Sequence, residues 1–184
     1  QLPLPKGIDT AAVCNAIPIE KDADVLSSSA RARFENAGKS DFPEHGSPGR
    51  LNLPGLLPPV VGAVKKILEF GNVEVRGKKA VVVGAGFLVG APVAAWLTRQ
   101  GAEVEVITLE SEKYRSLTSV LNTADIVVSG AGVPHIIKPD MLQQGLALID
   151  AGTSESGGAI VGDADPACAD KCSLFTPVPG GVGP

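Results

Sequence analysis

The residues best placed to do chemistry sit in a glycine turn, "VVVGAGFLVGAP", at residues 81–92. Gly84 and Gly86 permit a tight turn in which backbone N–H groups can approach a diphosphate, and Gly90 lets a following helix lie close to the preceding strand. A glycine pattern alone is weak. Its position between an apolar strand and a helical pattern makes it a dinucleotide-binding signal rather than an ordinary strand–helix turn. Glu110 lies about 20 residues past Gly90, where a carboxylate can accept from the ribose hydroxyls of NAD and repel the 2′-phosphate of NADP. Glu112 competes for that role, and a solvated strand-end charge is the plain alternative. Two further small-residue turns, "GAG" at 130–132 with Gly130 and Gly132, and "DAG" at 150–152, follow apolar runs at places where a nucleotide could lie close to the backbone.

The elements that must position these residues follow from the periodicity. "KAVVVG" reads as a buried strand and "FLVGAPVAAWLTRQG" as a helix ending at Gly101. "AEVEVITLE" alternates as a second strand, "YRSLTSVLNTA" is a helix, and "DIVVSGAG" is a third strand with its turn. "KPDMLQQG" is a short helix, "LALIDAG" a strand, "AIVGDAD" a short strand or turn, "PACADKC" a helical turn and "SLFTPVPGG" a last strand running into a loop. Strands alternating with helices imply a parallel sheet with right-handed crossovers. Upstream, "PPVVGAVKKILEF" carries a helical stripe at Val60, Val61, Val64, Ile67 and Leu68, and Asp9 or Thr10 can cap a short helix in "DTAAVCNAI". Residues 25–56, rich in Ser, Gly and Pro with little periodicity, read as a long loop or insertion.

Composition narrows the function classes. The 184 residues are 44% hydrophobic but only 4% aromatic, so the core must be aliphatic. A net charge of −4 offers no basic surplus for nucleic acid. Three cysteines, Cys14, Cys168 and Cys172, are too few and too odd for a disulfide framework, which suits a reducing compartment; with no apolar run of membrane-spanning length, a cytoplasmic protein without membrane partners is expected. Cys168 and Cys172 lack neighbouring ligands, and His45 and His135 are isolated, so no metal site is expected. There is no initiator Met and the chain stops in "PVPGGVGP", so both ends are expected to be cut.

"QLPLP", "KDAD", the glycine turn and "TPVPGGVGP" occur in an order that resembles the bifunctional methylenetetrahydrofolate dehydrogenase/methenyltetrahydrofolate cyclohydrolase family. The resemblance runs nearly end to end apart from residues 25–56, and "IVGDAD" fits it too. It implies an α/β fold: a Rossmann-like parallel sheet with flanking helices over residues 58–184, plus a remnant of an N-terminal folate-binding α/β domain over residues 1–57. It implies oxidation of 5,10-methylenetetrahydrofolate with NAD(P)+ and hydrolysis of the methenyl product to 10-formyltetrahydrofolate, by a homodimer joined through the cofactor domain.

By position, the resemblance gives Gln1 a place near the catalytic lysine and gives Asp24 the pterin contact, as the catalytic pair. It assigns Pro3, Asp24, Pro179, Gly180, Gly181 and Val182 to the folate. It assigns Gly84, Ala85, Gly86, Phe87, Val89, Gly90, Pro92, Gly130 and Gly132 to the cofactor, beside Glu110. The lysine itself belongs to a Tyr-x-x-x-Lys segment that this chain lacks, so none of the present lysines takes that role. Several positions depart from the family pattern. Val25 stands where Gly is usual, "LPPVVG" replaces a Pro-Cys-Thr-Pro-x-Gly segment, Ala85 and Gly86 replace Arg and Ser, and "TLES" replaces a His-Ser-Lys-Thr-like segment. The last two remove groups suited to a 2′-phosphate, so NAD is the expected cofactor, ahead of NADP. Two other readings are a cyclohydrolase-only homologue and a non-catalytic NAD-binding regulatory module.

Overall fold

The computed structural model describes residues 2, 4–37, 56–108 and 116–183. The chain forms two compact units, Gln1–Pro59 and Val60–Pro184.

In the first unit, helix α1 (Thr10–Asn15) is capped by Asp9, whose carboxylate accepts from the Ala12 N–H at 3.1 Å. A 3-10 turn at Ile19–Lys21 leads into Asp22. This carboxylate is buried and accepts the N–H groups of Leu26 at 2.9 Å and Ser27 at 2.7 Å, closing the turn around Val25. Val25 itself is buried with φ 57, a left-handed conformation that costs a β-branched residue strain.

Helix α2 (Ser28–Asn36) follows, so the start of the stretch 25–56, expected to be a long loop or insertion, is helical. Its N-terminus is built by side chains: Ser27 Oγ accepts the Ala30 N–H, and Asn15 Oδ1 accepts the Ser28 N–H at 2.8 Å. Only Ala30 and Phe34 are buried, one turn apart, so the apolar period is too sparse to announce a helix. Residues 38–55 of that segment lie outside the described residues.

Helix α3 (Pro59–Phe70), which lies in the second unit from Val60 on, buries Val61, Val64 and Leu68 along one stripe. Strand β1 (Lys79–Val83), α4 (Gly90–Gln100), β2 (Glu103–Ile107), α5 (Leu117–Leu121), β3 (Ile126–Ser129) and β4 (Ala147–Asp150) come next. A hairpin of β5 (Ser154–Ser156) and β6 (Ala159–Val161) is followed by a 3-10 turn at Pro166–Lys171 and then β7 (Leu174–Thr176). The helix α4 starts three residues later than its apolar pattern suggests and ends on Gly101, whose φ of 91 needs a residue without a Cβ. "AIVGDAD" supplies one arm of the hairpin, with Ser154 paired to Val161, and that hairpin's first arm is a strand the sequence pattern did not announce.

The five strands of the main sheet run parallel in the order β2-β1-β3-β4-β7. This is the Rossmann-like arrangement expected from the alternating pattern. The register places Val81, Val127 and Leu148 in one row and Val82, Val128 and Ile149 in the next. Because side chains alternate across a sheet, the first row joins α5 in one apolar cluster with Ile107, Leu117, Leu121 and Leu146. The second row is also buried, outside that cluster, as are Val93, Trp96 and Leu97 of α4, which packs on β1 and β2. Strands buried on both faces read as unbroken aliphatic runs, which is why aromatic residues are dispensable here.

Candidate dinucleotide site

The chain passes from β1 to β2 on one side of the sheet and then crosses to β3 on the other, so the order of connections reverses between β1 and β3. Open parallel sheets bind ligands at this switch point, beyond the carboxyl ends of the strands. A cleft of about 380 Å³ lies there. It is lined by the turn residues Gly84, Ala85 and Gly86, by Gly130 and Ala131 after β3, and by Val83, Ile107, Thr108, Leu117 and Ile136. None of these side chains is charged.

The three glycines of the turn do different things. Gly84 has φ 94, and a Cβ there would come within 2.7 Å of the Gly130 carbonyl oxygen. A Cβ on Gly90 would overlap the Gly84 carbonyl itself. Both positions are therefore fixed by the approach of strand, turn and helix. Gly86 meets nothing closer than 3.8 Å and is exposed on the cleft. Val89 packs on Gly130, where a Cβ would lie 2.5 Å from Cγ1. Two main-chain bonds hold the cleft's walls: Gly84 N–H donates to Ile107 O at 2.7 Å and Gly130 N–H to Val83 O at 2.9 Å.

The start of α4 has few amides to offer an anion. Pro92 has no N–H, while those of Ala91 and Val93 donate to Gly86 O and Val89 O. Donors to a diphosphate must therefore come from the turn itself, whose residues Ala85 to Leu88 are exposed. The cleft's shape and open glycine fit a dinucleotide.

The sequence-derived cofactor residues thus separate by place. Gly84, Ala85, Gly86 and Gly130 line the cleft, and Phe87 is exposed at its turn. Val89, Gly90 and Pro92 lie beneath as packing, and Gly132, φ 68, is exposed on the loop after β3. Glu110 lies outside the described residues, as do Gln1 and Pro3. Asp24 is exposed on the turn that Asp22 builds in the first unit. In the second unit, Pro179 follows a cis peptide after Val178, Gly180 has φ 94, and Gly181 packs on the Pro177 carbonyl. Ile107, Leu117 and Ile136 carry no signal in the sequence, because an apolar cleft wall has the same composition as core.

Two carboxylates stand behind the cleft. Asp163 is fully buried and accepts three hydrogen bonds: Ser129 Oγ at 2.6 Å, Ala131 N–H at 2.7 Å and Val133 N–H at 2.8 Å. Asp150, at the end of β4, accepts from Gly152 N–H at 3.0 Å and Ala164 N–H at 2.8 Å. Burial pushes the Asp150 carboxyl above the usual carboxylate range; those two N–H groups oppose the rise and the charge of Asp163 adds to it. Cys168, with its thiol pushed up to about 11 by burial and the nearby Asp165, is not a reactive thiolate.

The tetrahydrofolate dehydrogenase/cyclohydrolase NAD(P)-binding domain family matches residues 58–184. The chain belongs to that family. Over its whole length it is 37% identical to the bifunctional protein FolD of Aquifex aeolicus, covering 58% of that protein. It is equally 37% identical to the FolD of Desulfovibrio desulfuricans, covering 60% of it. Among solved structures, the FolD enzyme of Campylobacter jejuni superposes with a TM-score of 0.84 at 32% identity, over 99% of this chain and 59% of that one. The Trypanosoma brucei FolD, determined with NADP and an inhibitor, gives 0.82 at 34% identity, over 100% of this chain and 60% of that one. The chain therefore spans less than two thirds of the relatives it matches. The domain that the family match covers contains the whole β1–β7 sheet and the cleft, so the Rossmann-like unit is an NAD(P)-binding domain of this family.

Proposed function

We propose that the full-length protein oxidises 5,10-methylenetetrahydrofolate to the methenyl form with a nicotinamide dinucleotide and hydrolyses the product to 10-formyltetrahydrofolate. The observation that carries this reading is the cleft at the β1/β3 switch point, inside a domain of this family. The bound dinucleotide supplies the hydride acceptor. The chain's own residues bind and orient. The turn at Ala85 and Gly86 presents backbone to the diphosphate, and the apolar side chains of Ile107, Leu117 and Ile136 accept a flat base. Residues 1–57 belong to the folate domain, where Gln1 and Pro3 stand near the substrate and the Asp24 carboxylate takes two parallel hydrogen bonds from its aminopyrimidine edge, which orients the reacting carbon. Pro179, Gly180, Gly181 and Val182 give close backbone contact to a flat ligand.

The dinucleotide is NAD rather than NADP. Ala85 and Gly86 carry no group that could hold a 2′-phosphate, the described lining has no cation, and in the sequence Glu110 stands about 20 residues past Gly90, the spacing of a ribose-binding carboxylate. The same reading makes the protein a cytoplasmic homodimer. Among the described residues no helix is long and apolar enough to cross a membrane.

Initial rates with each dinucleotide test the preference. The expected kcat/KM for NAD+ exceeds that for NADP+ by roughly tenfold, about 1.4 kcal/mol. Equal values, or a preference for NADP+, would show that phosphate-binding groups come from elsewhere. Asp24→Ala should abolish folate turnover while leaving dinucleotide affinity unchanged; unchanged turnover would remove Asp24 from the substrate site.

A further inference from the structure

Asp163 lies outside the cleft, yet its carboxylate decides where one wall of the cleft stands. Gly130 and Ala131 line the cleft, and the N–H groups of Ala131 and Val133 turn away from it to donate to the two oxygens of Asp163. Ser129 Oγ, the last side chain of β3, donates to the same carboxylate. The segment carrying Asp163 is itself fixed to the far side of this loop: His135 N–H donates to Gly162 O at 3.1 Å, Ile137 N–H to Asp163 O at 3.0 Å and Asp165 N–H to Ile137 O at 2.9 Å. The carboxylate has no room to move the other way, because a Cβ on Gly152 would fall on it. Asp150 completes the arrangement by accepting the Ala164 N–H next door. The loop after β3 is thus anchored from behind before any ligand arrives.

We propose that Asp163 is a positioning residue for the dinucleotide, holding residues 129–133 so that Gly130 and Ala131 face the cleft in a preformed shape. This rests on the dehydrogenase reading above and names a residue that acts through the loop. A buried carboxylate that accepts several N–H bonds satisfies donors that would otherwise lack a partner, and so fixes the segment that carries them. Gly132, with φ 68 and open space where a Cβ would stand, is the point at which an unanchored loop would relax. An asparagine cannot substitute, since both oxygens accept from N–H groups and an amide nitrogen on either side would face a donor.

The test uses the full-length protein, with Asp163→Asn and Ser129→Ala. In Asp163→Asn, the Kd and KM for NAD+ should rise roughly tenfold, with kcat and methenyl hydrolysis, which needs no dinucleotide, within about twofold of the parent. Ser129→Ala keeps both main-chain anchors and should bind NAD+ within about twofold of the parent. Amide hydrogen exchange of the parent without ligand gives a second readout that needs no variant to fold: the Ala131 and Val133 amides should be protected to the degree of the β3 amides. A folded Asp163→Asn protein with parental NAD+ affinity, or unprotected Ala131 and Val133 amides in the parent, would overturn the assignment. A parent that binds no dinucleotide would overturn the functional reading as well, an outcome distinct from a parent and variant that bind equally.

Discussion

Gly90 lies so close to the Gly84 carbonyl that a side chain at 90 would overlap that oxygen. The contact ties the first turn of α4 to the end of β1 and sets the width of the turn between them. Gly90→Ala must push α4 off the sheet, and the expected cost is about 1–3 kcal/mol, the usual range for overpacking. Chemical denaturation of variant and parent measures it. A stability equal to the parent's would mean that the turn and helix adjust freely.

Gly86 is the contrasting position. A Cβ there meets only the Gly130 oxygen, at 3.8 Å, and the φ is not left-handed. Gly86→Ala should change stability by less than about 0.5 kcal/mol while weakening dinucleotide binding, because the methyl group enters the cleft. Calorimetric titration with NAD+ alongside a melting curve separates the two effects. Lost stability with unaltered affinity would reverse the division of labour between the glycines.

Val25 combines burial with φ 57. Truncation to Ala removes apolar contact and keeps the strained backbone, whereas truncation to Gly removes contact and strain together. The usual order for a buried valine is therefore inverted: Val25→Gly should be more stable than Val25→Ala by about 1 kcal/mol. Urea denaturation of the two variants decides the order, and an alanine variant more stable than the glycine one would show that the left-handed backbone carries no cost.

Asp22 predicts an acid limit for the first unit. Burial raises its pKa, but the N–H groups of Leu26, Ser27 and Val25 and the Ser27 hydroxyl outweigh that effect and hold it below the usual carboxylate value. A depressed folded pKa stabilises the fold above the unfolded value, about 3.9, and that contribution is lost as pH falls through the folded pKa. Asp22→Asn should therefore flatten the fall in stability below about pH 4. Unfolding midpoints of parent and variant from pH 7 downward check this, and parallel curves would remove Asp22 as the titrating group. Asp150 has the opposite sign: its raised pKa means that stability declines as pH rises above the unfolded value through the folded one.

The sheet was legible because its signals are local. "AVVV", "IVV" and "ALI" are unbroken aliphatic runs, and glycines soon after them mark where strands end. Helix α2 was not legible, since its N-terminus depends on Ser27 and Asn15, and its buried face is only Ala30 and Phe34. The wall formed by Ile107, Leu117 and Ile136 was hidden because its composition is that of core. The anchoring by Asp163 was hidden for another reason: Ser129 and Ala131 are 34 and 32 residues away in sequence. "IVGDAD" could be recognised only as a string until the sheet placed it behind the β3 loop.

The most direct measurement is the initial rate of NAD+ reduction by the full-length protein with and without 5,10-methylenetetrahydrofolate. The account predicts NADH formation that depends wholly on the folate. Absence of reduction with either NAD+ or NADP+ in a folded protein that contains the intact cleft would contradict it.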